Sequence, residues 1–170
     1  MERIMIVGNG GTGKSTLAVR LSELTGLPVV HLDRLFWRPG WKSVESAEFD
    51  RLLAEEVARE RWIIDGNYNR TMETRLARAD TVVWLDFPRV VALWGVLRRN
   101  RAWNGRTRPD MGDGCPEKID AEFLRWIWGF NRNNRARYRT LFQPTPTRRL
   151  VVLRNRRELK KWLDGLENGG

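Results

Sequence analysis

The stretch GNGGTGKST, residues 8–16, fits the spacing G-x-x-x-x-G-K-[ST], with Gly8, Gly13, Lys14 and Ser15 at the fixed positions. An apolar run, RIMIVG (3–8), leads into it, and a helical stretch, KSTLAVRLSELTG (14–26), leaves it and stops on Gly26. This spacing suits phosphate. Glycines let successive backbone N–H groups turn inward around phosphate oxygens, where side chains would block them. The helix that follows adds the positive end of its dipole. In this reading Gly8, Asn9, Gly10, Gly11, Thr12 and Gly13 form the cradle and Lys14 reaches the β- and γ-phosphates. The Ser15 hydroxyl binds Mg²⁺, and Thr16 closes the loop into the helix. The cofactors predicted are ATP and Mg²⁺.

Working outward, short apolar runs alternate with longer helical ones. Strands are expected at 3–8, 27–33, 61–65, 80–86 and 149–153. Their near-continuous hydrophobicity is that of parallel strands covered on both faces. Helices are expected after the phosphate loop and around 46–60, where Phe49, Leu52, Leu53 and Val57 recur at helical spacing. Further helices should start at Pro88, at Pro116 and after Asn155, whose partner Glu158 completes a cap. The asparagines at 131, 133 and 134 suggest a break in the Pro116 helix. Strand–helix alternation implies an α/β fold with right-handed crossovers. Residues 102–116 form the long stretch without clear periodicity, a length at which a loop is usually functional or disordered.

A phosphate loop needs a carboxylate near the metal, at the end of a neighbouring strand. Asp65 and Asp86 both qualify; the glycine after Asp65, Gly66, favours it by leaving room beside the phosphates. The 170 residues suit one domain. No apolar run reaches the roughly 18 residues of a membrane helix. The N-terminal apolar run is too short for a signal peptide, and the single cysteine, Cys115, leaves no internal disulfide. A cytoplasmic protein is expected.

The net charge of +10 is unevenly distributed. Residues 1–90 carry 13 Lys/Arg against 13 Asp/Glu, whereas residues 91–170 carry 18 against 8. A basic half can serve nucleic acid or the phosphates of a small nucleotide. The segment RRNRAWNGRTRPDMGDG (98–114) poses that choice most sharply, with five arginines and no lysine.

The phosphate loop, HLD after the second strand, IIDG after the third and an arginine-rich segment after the fourth resemble the adenylate-kinase-like branch of P-loop NTPases. HLDRLFWRPGW, WIIDGNY, RPDM, GCPEKIDAEFLRWI and VVLRNRREL resemble, more narrowly, bacterial proteins called DNA topology modulation proteins. The resemblance covers nearly the whole chain. It implies a five-stranded parallel sheet in the order 2-3-1-4-5 with helices on both faces. It also implies an arginine-rich lid at about 102–116 in a single kinase-like domain, 1–170. Arg98, Arg99 and Arg101 would stand at the lid's entrance and Arg106 and Arg108 within it. Arg135 and Arg139 would share one face of the returning helix. Residues Arg154 to Arg157, with Arg154 foremost, resemble the loop that covers the adenine ring.

Nucleoside monophosphate kinases carry D-G-x-P-R at the acceptor; here DGNYNR lacks the proline and moves the arginine to Arg70. Asp33 and Arg34 stand where some small-molecule kinases hold the acceptor hydroxyl, and Asp33 can take its proton. Trp37 and Trp41, in FWRPGW, can stack on an acceptor ring or clamp their own loop. His31 reads as a buried, hydrogen-bonded histidine. The expected function is phosphoryl transfer from ATP to a small acceptor. The alternatives are a DNA-binding NTPase or a nucleotide-dependent switch.

Overall fold

The computed structural model describes residues 1–168. Five parallel strands form the sheet: β1 (Arg3–Gly8), β2 (Val29–His31), β5 (Trp62–Asp65), β6 (Thr81–Leu85) and β7 (Arg149–Leu153), in the order β2-β5-β1-β6-β7. Counted among themselves these are strands 2-3-1-4-5, the expected topology. Side chains alternate across the pleat. Met5 and Val7 of β1 therefore enter one apolar layer, while Ile4 and Ile6 enter the other.

The first layer is closed by α3 (Ser46–Ala58), α4 (Met72–Arg78) and α6 (Ala121–Leu141), through residues such as Phe49, Leu53, Met72, Phe130 and Tyr138. The second is closed by α1 (Lys14–Thr25) and α7 (Arg156–Glu167), through Leu17, Leu21 and Leu159. A third, smaller cluster joins α5 (Arg89–Trp103) to α6 through Ala92, Val96 and Ile127. It sits against the phosphate loop.

Several local expectations are corrected. The second strand ends at His31, and Asp33 lies in a short helix, α2 (Leu32–Phe36). Trp37 and Trp41 belong to a small antiparallel hairpin of β3 (Trp37–Arg38) and β4 (Lys42–Ser43). The long helix begins at Ala121, not Pro116, because the Asp120 side chain caps it by accepting from the Phe123 N–H at 2.8 Å. It then runs unbroken past the asparagines. Asn131 donates to the Phe87 carbonyl and Asn134 to the Phe130 carbonyl, so their amides are satisfied without opening the helix. The connection between α5 and α6 is thus 104–120, displaced from the expected 102–116.

Candidate active site

The phosphate loop adopts the backbone that its glycines allow. Gly11 and Gly13 are left-handed, with φ of 76° and 94°. Close packing demands glycine here as well. A Cβ on Gly11 would stand 2.2 Å from the Ala92 carbonyl, and one on Gly95 of α5 would stand 1.9 Å from the Gly11 carbonyl. A Cβ on Gly8 would meet the Leu85 carbonyl at 2.7 Å. Asn9 and Thr12 are buried and brace the loop: Asn9 Nδ2 donates to the Ile127 carbonyl, and the Thr12 hydroxyl to the Asn9 carbonyl. Gly10, Gly11, Gly13, Lys14, Ser15 and Thr16 line a cavity of about 1510 Å³.

Strand β5 delivers Asp65 to this loop. Its Oδ2 accepts from the Ser15 hydroxyl at 2.8 Å, and its Oδ1 lies 2.7 Å from His31 Nδ1. Hydroxyl and carboxylate oxygens side by side are the hard donors Mg²⁺ prefers, and Mg²⁺ keeps most of its waters beside phosphates. Ser15 and Asp65 therefore fit the metal. Burial opposes protonation of His31, but the hydrogen bond and charge of Asp65 outweigh it and raise the imidazole's pKa. Asp86, the other carboxylate considered, accepts instead from Arg135 Nε at 2.9 Å. That ion pair occupies both residues away from Ser15.

Burial lowers the Lys14 pKa, against the opposing charges of Asp65 and Asp33. Lys14 Nζ donates to the Asn9 carbonyl at 3.1 Å. Asp33 faces the same cavity and accepts at Oδ1 from the Tyr68 hydroxyl at 2.7 Å. Burial raises its pKa, although the Tyr68 hydrogen bond works the other way. The loop after β5 that carries Tyr68 is held from beneath by Arg75. This guanidinium is fully buried, donates to the carbonyls of Gly66, Asn67 and Tyr68, and is pushed by burial down to about 10. Gly66 also lines the cavity, with φ of 134° and Leu32 against its α-carbon.

The arginines sort themselves differently from the expectation. Arg99 and Arg108 line the cavity, and both grip Glu117, itself 4% exposed: Arg99 Nε donates to Oε1 at 2.9 Å, and Arg108 Nε lies 2.8 Å from Oε2. Arg108 also donates to Asp110 at 3.0 Å. Arg106 is exposed and outside the lining, with its carbonyl accepting from the Glu117 N–H. Arg101 faces a second cavity of about 510 Å³. Arg135 and Arg139 are outside the lining, although Asn134 beside Arg135 is part of it, because Arg135 turns to Asp86. The turns that cover the phosphate loop carry Phe123, Trp126 and Ile127, whose Cδ1 stands 2.5 Å from where a Cβ on Gly10 would be. Arg139 is exposed there.

Arg154 is exposed and its N–H caps α7 through Glu158. Arg156, two residues on, faces the cavities instead. Its guanidinium lies against Gly13 and 5.2 Å from the Phe87 ring centroid, and it lines both cavities together with Arg98. Burial, then the charge of Arg98, lowers its pKa.

On the acceptor side, Trp37 and Trp41 line the cavity with rings 5.4 Å apart at 71°. Arg70 does not join them, being tied to Asp50 through two nitrogens at 2.6 and 2.7 Å. Arg34 is exposed and outside the lining. The 104–120 connection is seated on the tryptophan hairpin. Trp41 Nε1 donates to the Pro116 carbonyl, the Gly40 N–H to the Gly114 carbonyl and the Cys115 thiol to the Arg38 carbonyl. Gly112 packs on the Trp37 backbone, where a Cβ would stand 2.1 Å from the carbonyl oxygen.

Sequence reasoning does not single out Glu117 or Tyr68, and it places Arg99 only at the lid entrance and Arg156 only within the 154–157 stretch.

The isopentenyl transferase family model matches residues 1–39, the phosphate loop and the segment through α2. No curated protein matches the chain. Among solved structures, shikimate kinase from Bacteroides thetaiotaomicron is 21% identical, with a TM-score of 0.57, covering 98% of this chain and 96% of that one. A gluconokinase from Sinorhizobium meliloti 1021 is 16% identical, with a TM-score of 0.55 and coverage of 98% and 92%. Deoxyadenosine kinase from M. mycoides is 15% identical, with a TM-score of 0.53 and coverage of 98% and 96%. At these identities the likeness is one of fold, that of P-loop kinases. It does not carry the DNA topology name that the motifs resemble. Among the described residues no helix is long and apolar enough to cross a membrane.

Proposed function

We propose that the chain is a single kinase-like domain that moves the γ-phosphoryl group of ATP to the hydroxyl of a small acceptor. One observation carries this reading: Lys14, the Ser15–Asp65 pair, Arg108 and Asp33 all face one continuous cavity. A nucleotide switch needs the first two groups but has no use for a half-buried carboxylate at an aromatic-walled end.

In this reading the phosphates lie in the 8–16 loop, and the base enters the smaller cavity among Val91, Trp94 and Leu97. Arg98 and Arg156, two mutually repelling cations where the two cavities meet, favour phosphate between them. Ser15 and Asp65 would hold Mg²⁺, which would supply neutralisation of the phosphate charge. Lys14 and Arg108 face the γ-phosphate, and the charges of both reach Asp33. The acceptor oxygen forms a bond to the γ-phosphorus as the bond to the β–γ bridging oxygen breaks, and the electron pair leaves with ADP. Asp33 Oδ2 takes the hydroxyl proton while Tyr68 holds Oδ1.

The test is ADP release from Mg-ATP, alone and with pools of hydroxylated small molecules. One pool should raise the rate at least about tenfold above the basal hydrolysis, as expected when an acceptor completes a phosphoryl-transfer site. ATP binding with no response to any pool would count against an acceptor.

A further inference from the structure

The acceptor end of the cavity is unusual in how its charge is balanced. On the reading of the site as a phosphotransferase, we infer that its acceptor is an uncharged, ring-bearing alcohol of the nucleoside class, and that anionic acceptors are excluded.

The cations decide this. An acceptor phosphate or carboxylate is ordinarily met by a guanidinium with no competing carboxylate. Here Arg108, whose charge reaches Asp33, is held by both Asp110 and Glu117, and Arg99 by Glu117. Arg70 is clamped bidentately by Asp50, and Arg38 by Glu48. Arg75 is buried beneath the loop and gives its donors to backbone carbonyls. Lys118 is exposed, with its Nζ 5.7 Å from the Trp41 ring centroid, where water screens it.

The anions point the same way. Asp33 and Asp110 both line the acceptor end, and Asp110 is close enough to His31 to help raise its pKa. Among the described residues at this end, an anionic acceptor would meet these carboxylates with no unpaired cation but the exposed Arg34 and Lys118, which water screens, and Lys14, which serves the γ-phosphate in this reading.

What remains is suited to a flat, neutral molecule. Trp37 and Trp41 set two apolar faces nearly at right angles. Tyr68 holds one oxygen of Asp33, and among the described residues no hydrogen bond reaches the other, which is left for an acceptor hydroxyl. Asn67, Asn69 and Asn134 add uncharged polar groups to the lining. Aromatic faces hold a ring by stacking, and a carboxylate with an open oxygen accepts from a hydroxyl.

Matched pairs test the inference. The intact protein, saturated with Mg²⁺ and a non-hydrolysable ATP analogue, is titrated calorimetrically with adenosine, guanosine, cytidine and thymidine. Each is compared with its own 5′-monophosphate. At least one nucleoside should bind about tenfold or more tightly than its monophosphate, the scale of a like charge placed beside a half-buried carboxylate. Asp110→Asn, which releases part of Arg108, should narrow that ratio. Monophosphates that bind as well as their nucleosides in every pair would overturn the inference and leave the phosphotransferase reading standing. So would binding of neither member of any pair. Failure of the ATP analogue to bind would instead strike at the phosphotransferase reading itself. Trp37→Ala, which leaves Asp33 in place, should weaken the nucleoside and spare the analogue; equal loss of both would mark Trp37 as merely structural and overturn the stacking role.

Discussion

Asp65 Oδ2 accepts a hydrogen bond from the Ser15 hydroxyl at 2.8 Å, joining the third strand of the sheet to the first turn after the phosphate loop. Two oxygens so placed make a seat for a hard cation beside the phosphates. Ser15→Ala and Asp65→Asn should therefore raise the Mg²⁺ concentration needed for half-maximal ATP turnover, by about tenfold or more, the size seen when groups supporting a metal are removed. Magnesium titrations at fixed ATP check this. An unchanged Mg²⁺ requirement in both variants would move the metal elsewhere.

The arginines separate into those that face the cavity and those that do not. Arg99→Ala and Arg108→Ala should each lower turnover on the order of 10³-fold, as loss of a charge-stabilising arginine does in phosphoryl transfer. Arg106→Ala, Arg135→Ala and Arg139→Ala should leave turnover within about threefold, since none of the three lines the cavity. Steady-state kinetics on the five variants decides it. A turnover loss in Arg106→Ala equal to that in Arg108→Ala would refute the assignment.

Glu117 holds Arg99 and Arg108 together with its own side chain almost wholly buried. Glu117→Gln leaves two like charges facing one neutral amide, a change that should cost about 3–5 kcal/mol. Bound phosphates would restore the missing negative charge. The thermal shift on adding Mg-ATP should then be larger in Glu117→Gln than in the natural sequence. Equal shifts would show that the phosphates do not reach these arginines.

His31 should make stability depend on pH. Its folded pKa is raised, so the protonated ring favours the fold. That contribution is fully present below the unfolded value of about 6.5 and is lost as pH rises through the higher folded value. The melting temperature of the natural sequence should fall relative to that of His31→Asn across this window. Parallel curves would remove the charged His31–Asp65 pair from the argument.

Much of the fold is legible in the sequence, because its signals are local. The loop at 8–16 carries its own spacing, and five apolar runs of strand length set the sheet. The resemblance of the motifs then supplied the strand order. Asp65 was legible because Gly66 follows it. The lid arginines were not. Which of the five arginines line the cavity depends on Glu117, 18 residues from Arg99 and 9 from Arg108 along an irregular connection. The Asp120 cap shifts the helix start, and Arg135 meets Asp86. Arg156 replaced Arg154 for a related reason. The Asn155 cap turns the chain so that the first residue of α7 points back at Gly13. Periodicity records which residues share a helix face but not which neighbour that face meets.

The most direct test follows the phosphoryl group itself. ATP labelled in the γ-phosphate is incubated with the protein, Mg²⁺ and the acceptor pool that stimulates ADP release, and the label is traced by chromatography and mass spectrometry. Transfer to a hydroxyl predicts one labelled phosphate ester formed in step with ADP, lost in Asp33→Asn while ATP still binds. Label recovered only as inorganic phosphate, at equal rates with and without Asp33, would contradict it.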